Sequence, residues 1–261
     1  MIHRMQIKTK GIILKELANG DDDKLLTILT EDRGVIFAYA KGARRFKNSL
    51  AASTGLLCYS SMVLFTNRER FSLDHADTIE QFFGLRQSVE KLALAAYFAE
   101  IASVLGPKEN DGGQYLKLLL NSLFFLQNDR LPMELLKPLF ELRSLSMAGF
   151  MPDLVACEGC GCYEAEQMAF YPVDGTICCG ECSRKKAGVH IFLTKGTLAA
   201  MRHIIYSPIE KLFAFTIGSD SIKILKHHRT FFAKPNRAKF SNIGLLSVID
   251  RAFIRSDIIG D

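Results

Sequence analysis

The residues best suited to chemistry are two short cysteine pairs, Cys157-Glu-Gly-Cys160 and Cys179-Gly-Glu-Cys182, which eighteen residues separate. Two residues between the thiols let both sulfurs of one turn reach a single ion, and two such pairs fit the four-thiolate zinc template. Gly159, Gly161 and Gly180 stand where these turns need small residues. Because all four candidate ligands are thiolates, the sequence predicts one structural Zn²⁺ and no open catalytic position.

The other cysteines leave alternatives open. Cys162 and Cys178 each adjoin a candidate ligand, and Cys178 with Cys182 is a workable alternative pair. We favour Cys179, because Cys178 should end the preceding strand and point away from the metal. Buried thiols or two disulfides are the other interpretation, but disulfides fit poorly because nothing else in the chain resembles a secreted protein. Cys58, which lies far upstream among apolar residues, is expected to be a core thiol.

The elements that position these cysteines follow from turn residues and periodicity. A hairpin of segments 168–173 and 175–178 should turn at Asp174 and Gly175. Apolar spacing of three and four predicts helices elsewhere, and Pro138 should break or restart the one that Pro132 opens. The predicted helices begin near Arg86 and end by Pro107, and then cover 115–127, 132–149, 194–206, 220–232 and, with no clear role, 241–254.

Short strands dominate the first eighty residues. Five strands with turns at these intervals predict a small closed or nearly closed barrel. The segment Asp77-Thr-Ile-Glu80 is ambiguous, because it fits either a helix start with a capping box or the end of the last strand. The predicted strands are 8–17, 24–30, 35–40, 61–66 and 71–73.

Composition sets the class of protein. With 261 residues and 48% hydrophobic content, the chain can hold a large core in two or three subdomains. Polar residues interrupt every long apolar run, which predicts no membrane span. The first residues, from Met1, lack the apolar core of a signal peptide, so a reducing cytoplasm is expected. A net charge of +5 and a pI near 8.8 permit a nucleic-acid partner without requiring one.

An enzymatic interpretation finds little support in the residues. The chain has no phosphate-binding loop and no nucleophile-elbow motif. His227 and His228 are adjacent on a predicted helix, where side chains diverge by about 100° and do not easily share one ion. The acidic triplet Asp21-Asp22-Asp23 could in principle bind a cation. Because it follows Asn19-Gly20, an exposed turn is the better explanation. The sequence therefore favours a protein without catalytic residues.

Basic residues carry the stronger functional signal. Residues 39–50 hold four cations, no acid and the aromatic Phe46, and the next hairpin adds two arginines. On a five-stranded barrel such loops can flank an open face that binds single-stranded nucleic acid by charge and stacking. A solubilising loop is the plainer alternative. Four phosphate contacts would give a log–log salt slope of about −3. The candidate DNA-binding residues are Lys41, Arg44, Arg45, Lys47, Arg68 and Arg70.

Several motifs occur together in the order found in one protein family. In the predicted barrel the motifs are Gly11-Ile-Ile-Leu-Lys15, Asn19-Gly-Asp-Asp-Asp-Lys24, Leu26-Thr-Ile-Leu-Thr30, Gly34 and Lys41-Gly-Ala-Arg44. Between the predicted helices and the first cysteine pair they are Phe140-Glu-Leu-Arg143, Gly149-Phe-Met-Pro152 and Cys157-Glu-Gly-Cys160-Gly161. With these motifs the chain resembles the bacterial recombination mediator RecO over roughly residues 8–235. The tail beyond Pro235 matches no pattern of the family.

The resemblance implies a fold and an activity. It implies an α+β multidomain chain with an OB-fold barrel in residues 1–80 and a helical domain in two parts, 81–150 and 191–261, into which a four-cysteine zinc module is inserted at 151–190. It also implies binding of single- and double-stranded DNA, strand annealing and help in loading recombinase. The implied partners are RecR and the acidic, Phe-ended tail of single-strand-binding protein, in a bacterial cytoplasm at the nucleoid. A zinc-containing interaction adaptor without DNA affinity is the leading alternative.

Overall fold

The computed structural model describes residues 5–67, 70–109 and 111–226. The chain divides into two compact units, Met1–Leu131 and Pro132–Asp261. Among the described residues, no helix has both the length and the apolar character needed to cross a membrane. Residues 227–261 lie outside the described part, and with them the histidine pair at 227 and 228 and the predicted helix 241–254.

The first unit contains a closed five-stranded barrel with strand order β1-β2-β3-β5-β4. Strands β3 and β5 pair in parallel and the other neighbours pair antiparallel. This confirms the predicted OB-fold, and the ambiguous segment 77–80 is the end of the last strand. The strands are β1 Met5–Asn19, β2 Asp23–Thr30, β3 Gly34–Ala40, β4 Tyr59–Asn67 and β5 Arg70–Glu80.

Alternating side chains fill the barrel. Large aliphatic residues that face inward each contribute about 1.5–3 kcal/mol of burial free energy. Gly11 is required where β1 pairs with β2, because a Cβ there would lie 2.9 Å from Ile28 Cγ2. Cys58 lies in this core, as expected. The largest members of the core cluster are Ile7, Ile13, Leu26, Ile28, Ile36, Met62, Leu64 and Leu73.

Helices complete the first unit. A short helix α1, Leu50–Ser53, contacts β5, and a 3-10 turn, Phe83–Gln87, precedes the helix α2, Val89–Leu105. Ser88 caps α2 by accepting a hydrogen bond from the backbone N–H of Lys91. Helix α2 packs on β1 and β2, and the helix α3, Gly113–Gln127, packs on α2.

The second unit begins with the helix α4, Met133–Met147. The prediction that Pro138 breaks or restarts this helix is wrong, because the helix runs through it. Pro138 is only the sixth helical residue, so its missing N–H removes a single hydrogen bond close to the helix start.

A small three-stranded sheet with order β7-β6-β8 follows α4. The predicted hairpin is present, with β6 Met168–Tyr171 and β7 Thr176–Cys179 joined through Gly175, whose φ is +70°. The remaining elements are α5 Gly180–Ser183, β8 Ile191–Leu193, α6 Lys195–Tyr206 and α7 Ser219–Lys226. Helix α7 is the described part of the helix predicted over 220–232.

Candidate metal centre and nucleic-acid surface

The hairpin brings one cluster of cysteines together. The Sγ atoms of Cys157, Cys160, Cys162 and Cys179 all lie within 4.8 Å of one another. The Sγ atoms of Cys160 and Cys179 are 3.7 Å apart. Tetrahedral zinc with Zn–S bonds of about 2.3 Å spaces its sulfurs by about 3.8 Å. The donor set and its spacing therefore fit a four-coordinate metal ion.

Cys182, in α5, lies beside this cluster. It is outside the group of sulfurs that lie within 4.8 Å of one another, but its thiol lies against the first cysteine turn. Gly159 allows this approach, because a Cβ at that position would lie 2.9 Å from the Cys182 Sγ. The thiol of Cys162 contacts Cys160 and Cys179. Five thiols thus surround a site that offers four coordination positions.

Backbone amides of the two cysteine turns hold the sulfurs in place. The N–H of Cys179 donates to the Cys157 Sγ over 3.2 Å. The N–H of Cys157 donates to the carbonyl of Cys162, and the N–H of Gly161 donates to the carbonyl of Cys157. Gly161 has a φ of +73°, a conformation that suits glycine. The N–H of Glu158 donates to the carbonyl of Ile177 on β7, which ties the first turn to the hairpin.

Local hydrogen bonds separate the acidities of these thiols. Burial raises the pKa of Cys157, but hydrogen bonds from the N–H groups of Cys179, Cys160 and Gly159 outweigh it and lower the pKa to about 6. A hydrogen bond from the backbone of Cys182 lowers the pKa of Cys179. The hydrogen bond to Cys160 raises the pKa of Cys162 to about 12. Cys157 and Cys179 therefore favour the thiolate form that binds metal.

Cys178 has a different environment from that of Cys179. It precedes Cys179 in β7, where successive side chains point to opposite faces of the sheet. Its side chain is buried, and burial is the main cause that raises the pKa of its thiol. It is outside the group of sulfurs within 4.8 Å, which contains Cys179.

A buried arginine that the sequence interpretation missed joins α6 to the segments on either side of the first cysteine turn. Arg202 donates from Nε to the carbonyl of Leu154 over 2.7 Å, and from Nη2 to the carbonyls of Val155 over 3.0 Å and Tyr163 over 2.7 Å. Its guanidinium also lies 3.9 Å from the centre of the Tyr163 ring. The signal in the sequence is a cation four residues after Leu198 and three before Ile205, which places it on the apolar face of α6.

The basic loop between β3 and α1 lies at the surface of the barrel. Arg45 Nη2 is 2.5 Å from Asp22 Oδ2, and Arg44 Nη1 donates to the carbonyl of Gly20 over 2.8 Å. Asp23 accepts a hydrogen bond from the N–H of Gly42 over 2.7 Å. Asp22 and Asp23 therefore anchor the loop to the turn between β1 and β2, and two of the predicted DNA-binding arginines serve this contact.

The other predicted DNA-binding residues are less constrained. Lys41 and Lys47 are exposed, and within the described ranges their side chains form no hydrogen bond or ion pair. Arg70 is exposed at the start of β5. Arg68 lies outside the described residues. Phe46 is 99% exposed, so its ring lies outside the barrel core.

Comparisons with known proteins agree with this architecture. The family model described as Recombination protein O N terminal matches residues 5–82, and the one described as Recombination protein O C terminal matches residues 86–232. The DNA repair protein RecO of Acetivibrio thermocellus is 31% identical over 94% of this chain and 98% of its own length. The proteins of the same name from Symbiobacterium thermophilum and Alkaliphilus metalliredigens are 34% and 32% identical, over 77% and 68% of this chain and 80% and 72% of their own lengths. The chain therefore belongs to the RecO family of DNA repair proteins.

Proposed function

We propose that the protein is a non-enzymatic mediator of recombinational repair that binds single- and double-stranded DNA and anneals complementary strands. It would help to load recombinase on strands covered by single-strand-binding protein, at the nucleoid in the cytoplasm. The observation that supports this proposal most directly is the exposed basic loop 41–47, which is anchored to an OB-fold barrel. Closed barrels of this kind bind oligonucleotides along their loops and strand faces.

The basic residues divide into two roles in this proposal. Lys41, Lys47 and Arg70 contact phosphates, because their charges are exposed. Arg44 and Arg45 hold the loop in shape through Gly20 and Asp22. Three phosphate contacts on single-stranded DNA would give a log–log salt slope of about −2. Arg68 remains a candidate fourth contact from the sequence.

The metal in this proposal is one structural Zn²⁺. The residues proposed to hold it are Cys157, Cys160, Cys179 and Cys182, which form the two Cys-x-x-Cys pairs of the sequence, although the four sulfurs within 4.8 Å of one another include Cys162 in place of Cys182. Bound zinc supplies folding free energy to such a module. Cys162 is then a fifth thiol beside the ion. The proposed domains are the barrel 1–80, the helical domain 81–150 and 191–261, and the zinc module 151–190.

The proposed protein partners are RecR and the acidic, Phe-ended tail of single-strand-binding protein. The support for both is the family to which the chain belongs. A positively charged chain, with a net charge of +5, is compatible with an acidic peptide.

The experiment that tests DNA binding is a titration of a fluorescent oligonucleotide at several salt concentrations. The variant Lys41→Ala/Lys47→Ala/Arg70→Ala should bind more weakly and lose about 2 units of salt slope. A matched control, Arg86→Ala/Lys117→Ala/Arg130→Ala, removes the same charge from exposed positions elsewhere in the first unit. Absence of salt-dependent binding by the unmodified protein would favour the interaction adaptor instead.

A further inference from the structure

The outer face of β3 carries two exposed aromatic rings. Phe37 and Tyr39 are 62% and 42% exposed, whereas Ile36, Ala38 and Ala40 between and beside them point into the barrel. A single exposed apolar side chain is ordinary, but two aromatics on one strand face form a defined surface. The alternation of β3 therefore places both rings in solvent on the same side of the sheet.

The spacing of these rings suits a row of planar ligands. Residues two apart on a strand are separated by about 6.7 Å. This is about twice the rise of roughly 3.4 Å per nucleotide in a stacked strand. Each ring therefore has room for a base of its own.

Cations border this aromatic surface. Tyr39 pairs with Ser72 on the parallel strand β5, and Arg70, two residues before Ser72, projects from the same face. Lys41, two residues beyond Tyr39, is exposed at the opposite end of the surface. The acids on the adjoining segments are Asp74, beyond Ser72 on β5, and Asp22 and Asp23, which contact the loop after Lys41. Rings between exposed cations match an anionic backbone with unpaired bases.

We propose that Phe37 and Tyr39 form a base-stacking platform for single-stranded nucleic acid, with Lys41 and Arg70 on its phosphates. This inference rests on the proposed DNA binding and adds where the unpaired bases lie. Stacking of this kind is tolerant of sequence, because every base presents a flat face. The platform therefore selects unpaired strands without selecting their sequence.

A tryptophan reporter tests the platform directly. The chain has no tryptophan, so Phe37→Trp introduces a single indole. An oligothymidylate should quench its fluorescence on binding, whereas an abasic oligonucleotide of equal length should not. The matched control is Phe83→Trp, at an exposed phenylalanine of similar exposure, 61%, outside β3. Equal quenching of both reporters, or quenching by the abasic strand, would overturn the proposal.

Substitution to alanine measures how much each ring contributes to the affinity for single-stranded DNA. Phe37→Ala and Tyr39→Ala should each weaken oligothymidylate binding by about fivefold to 150-fold, the range that corresponds to about 1–3 kcal/mol per base. The salt slope should stay unchanged, because stacking releases no counterions. Abasic oligonucleotide should bind these variants and Phe83→Ala alike. If the unmodified protein binds oligothymidylate and the double variant Phe37→Ala/Tyr39→Ala binds it equally well, the platform is refuted. If the unmodified protein does not bind, the proposed function itself fails.

Discussion

The Arg45 guanidinium lies 2.5 Å from the Asp22 carboxylate, and this ion pair joins the loop after β3 to the turn between β1 and β2. The hydrogen bond from Arg45 is the main cause that holds the pKa of Asp22 below its usual value. Both groups are substantially exposed, so the pair positions the loop more than it stabilises the fold. The arrangement keeps one positive charge of the loop partly neutralised.

Release of Arg45 should strengthen DNA binding. The variant Asp22→Ala leaves the guanidinium free to contact a phosphate, so affinity for single-stranded DNA should rise and the salt slope should steepen by about 0.7. The measurement is an anisotropy titration over a range of potassium chloride. Asp21→Ala is the control, because it removes an equal charge from an exposed neighbour in the same turn. Identical slopes for the two variants would contradict a specific role of the ion pair.

Metal content should identify the ligands. Serine in place of Cys157, Cys160, Cys179 or Cys182 should release one zinc per chain and destabilise the second unit, because the binding free energy contributes to folding. Measurement is by elemental analysis together with thiol alkylation. Cys162→Ser should retain the metal.

Two outcomes would contradict this assignment of ligands. If Cys162→Ser loses zinc and Cys182→Ser keeps it, the fourth ligand is Cys162. If Cys178→Ser loses zinc and Cys179→Ser keeps it, the choice between these neighbours is wrong.

Loss of the buried arginine should loosen the segments around the first cysteine turn from α6. Arg202→Met leaves the carbonyls of Leu154, Val155 and Tyr163 without their donor and should lower the free energy of unfolding by about 3 kcal/mol. Thermal unfolding measures this change. Lys195→Met is the control, since it removes an exposed cation from the same helix. Equal melting temperatures for the two variants would show that this contact is energetically neutral.

Binding of single-strand-binding protein should depend on its terminal aromatic. We expect the acidic tail peptide to bind, and a peptide without the last Phe to bind much more weakly, because a buried aromatic anchor dominates such contacts. Isothermal titration calorimetry with both peptides is the measurement. Equal affinities would reject a hydrophobic pocket rimmed by basic residues.

Local patterns predicted much of the fold. The barrel could be predicted because apolar and other residues alternate along strands such as β3. The hairpin could be predicted because Asp174 and Gly175 mark its turn. The prediction for Pro138 was wrong because the destabilisation that a proline causes depends on its position in the helix. The sequence does not show where that helix begins.

Contacts between residues far apart in the sequence could not be predicted in the same way. Asp22 and Arg45 are 23 positions apart, and their pairing requires the register of three strands. The approach of Cys162 to Cys179 likewise depends on how the two cysteine turns face each other. Such contacts follow from tertiary geometry, which no local pattern encodes.

Helix α6 is held from two sides by arginines. Arg202 joins it to the loops around the first cysteine pair, and Arg143 of α4 donates to the carbonyls of Ile204 and Ile205 in its last turn. In native-state hydrogen exchange, proteins open in contiguous cooperative units, and we expect these linked segments to belong to one such unit. If the proposed zinc is bound, its chelation should therefore accelerate amide exchange not only in the cysteine turns but also along α6 and into α4, and zinc occupancy would set the lifetime of the closed state of these helices.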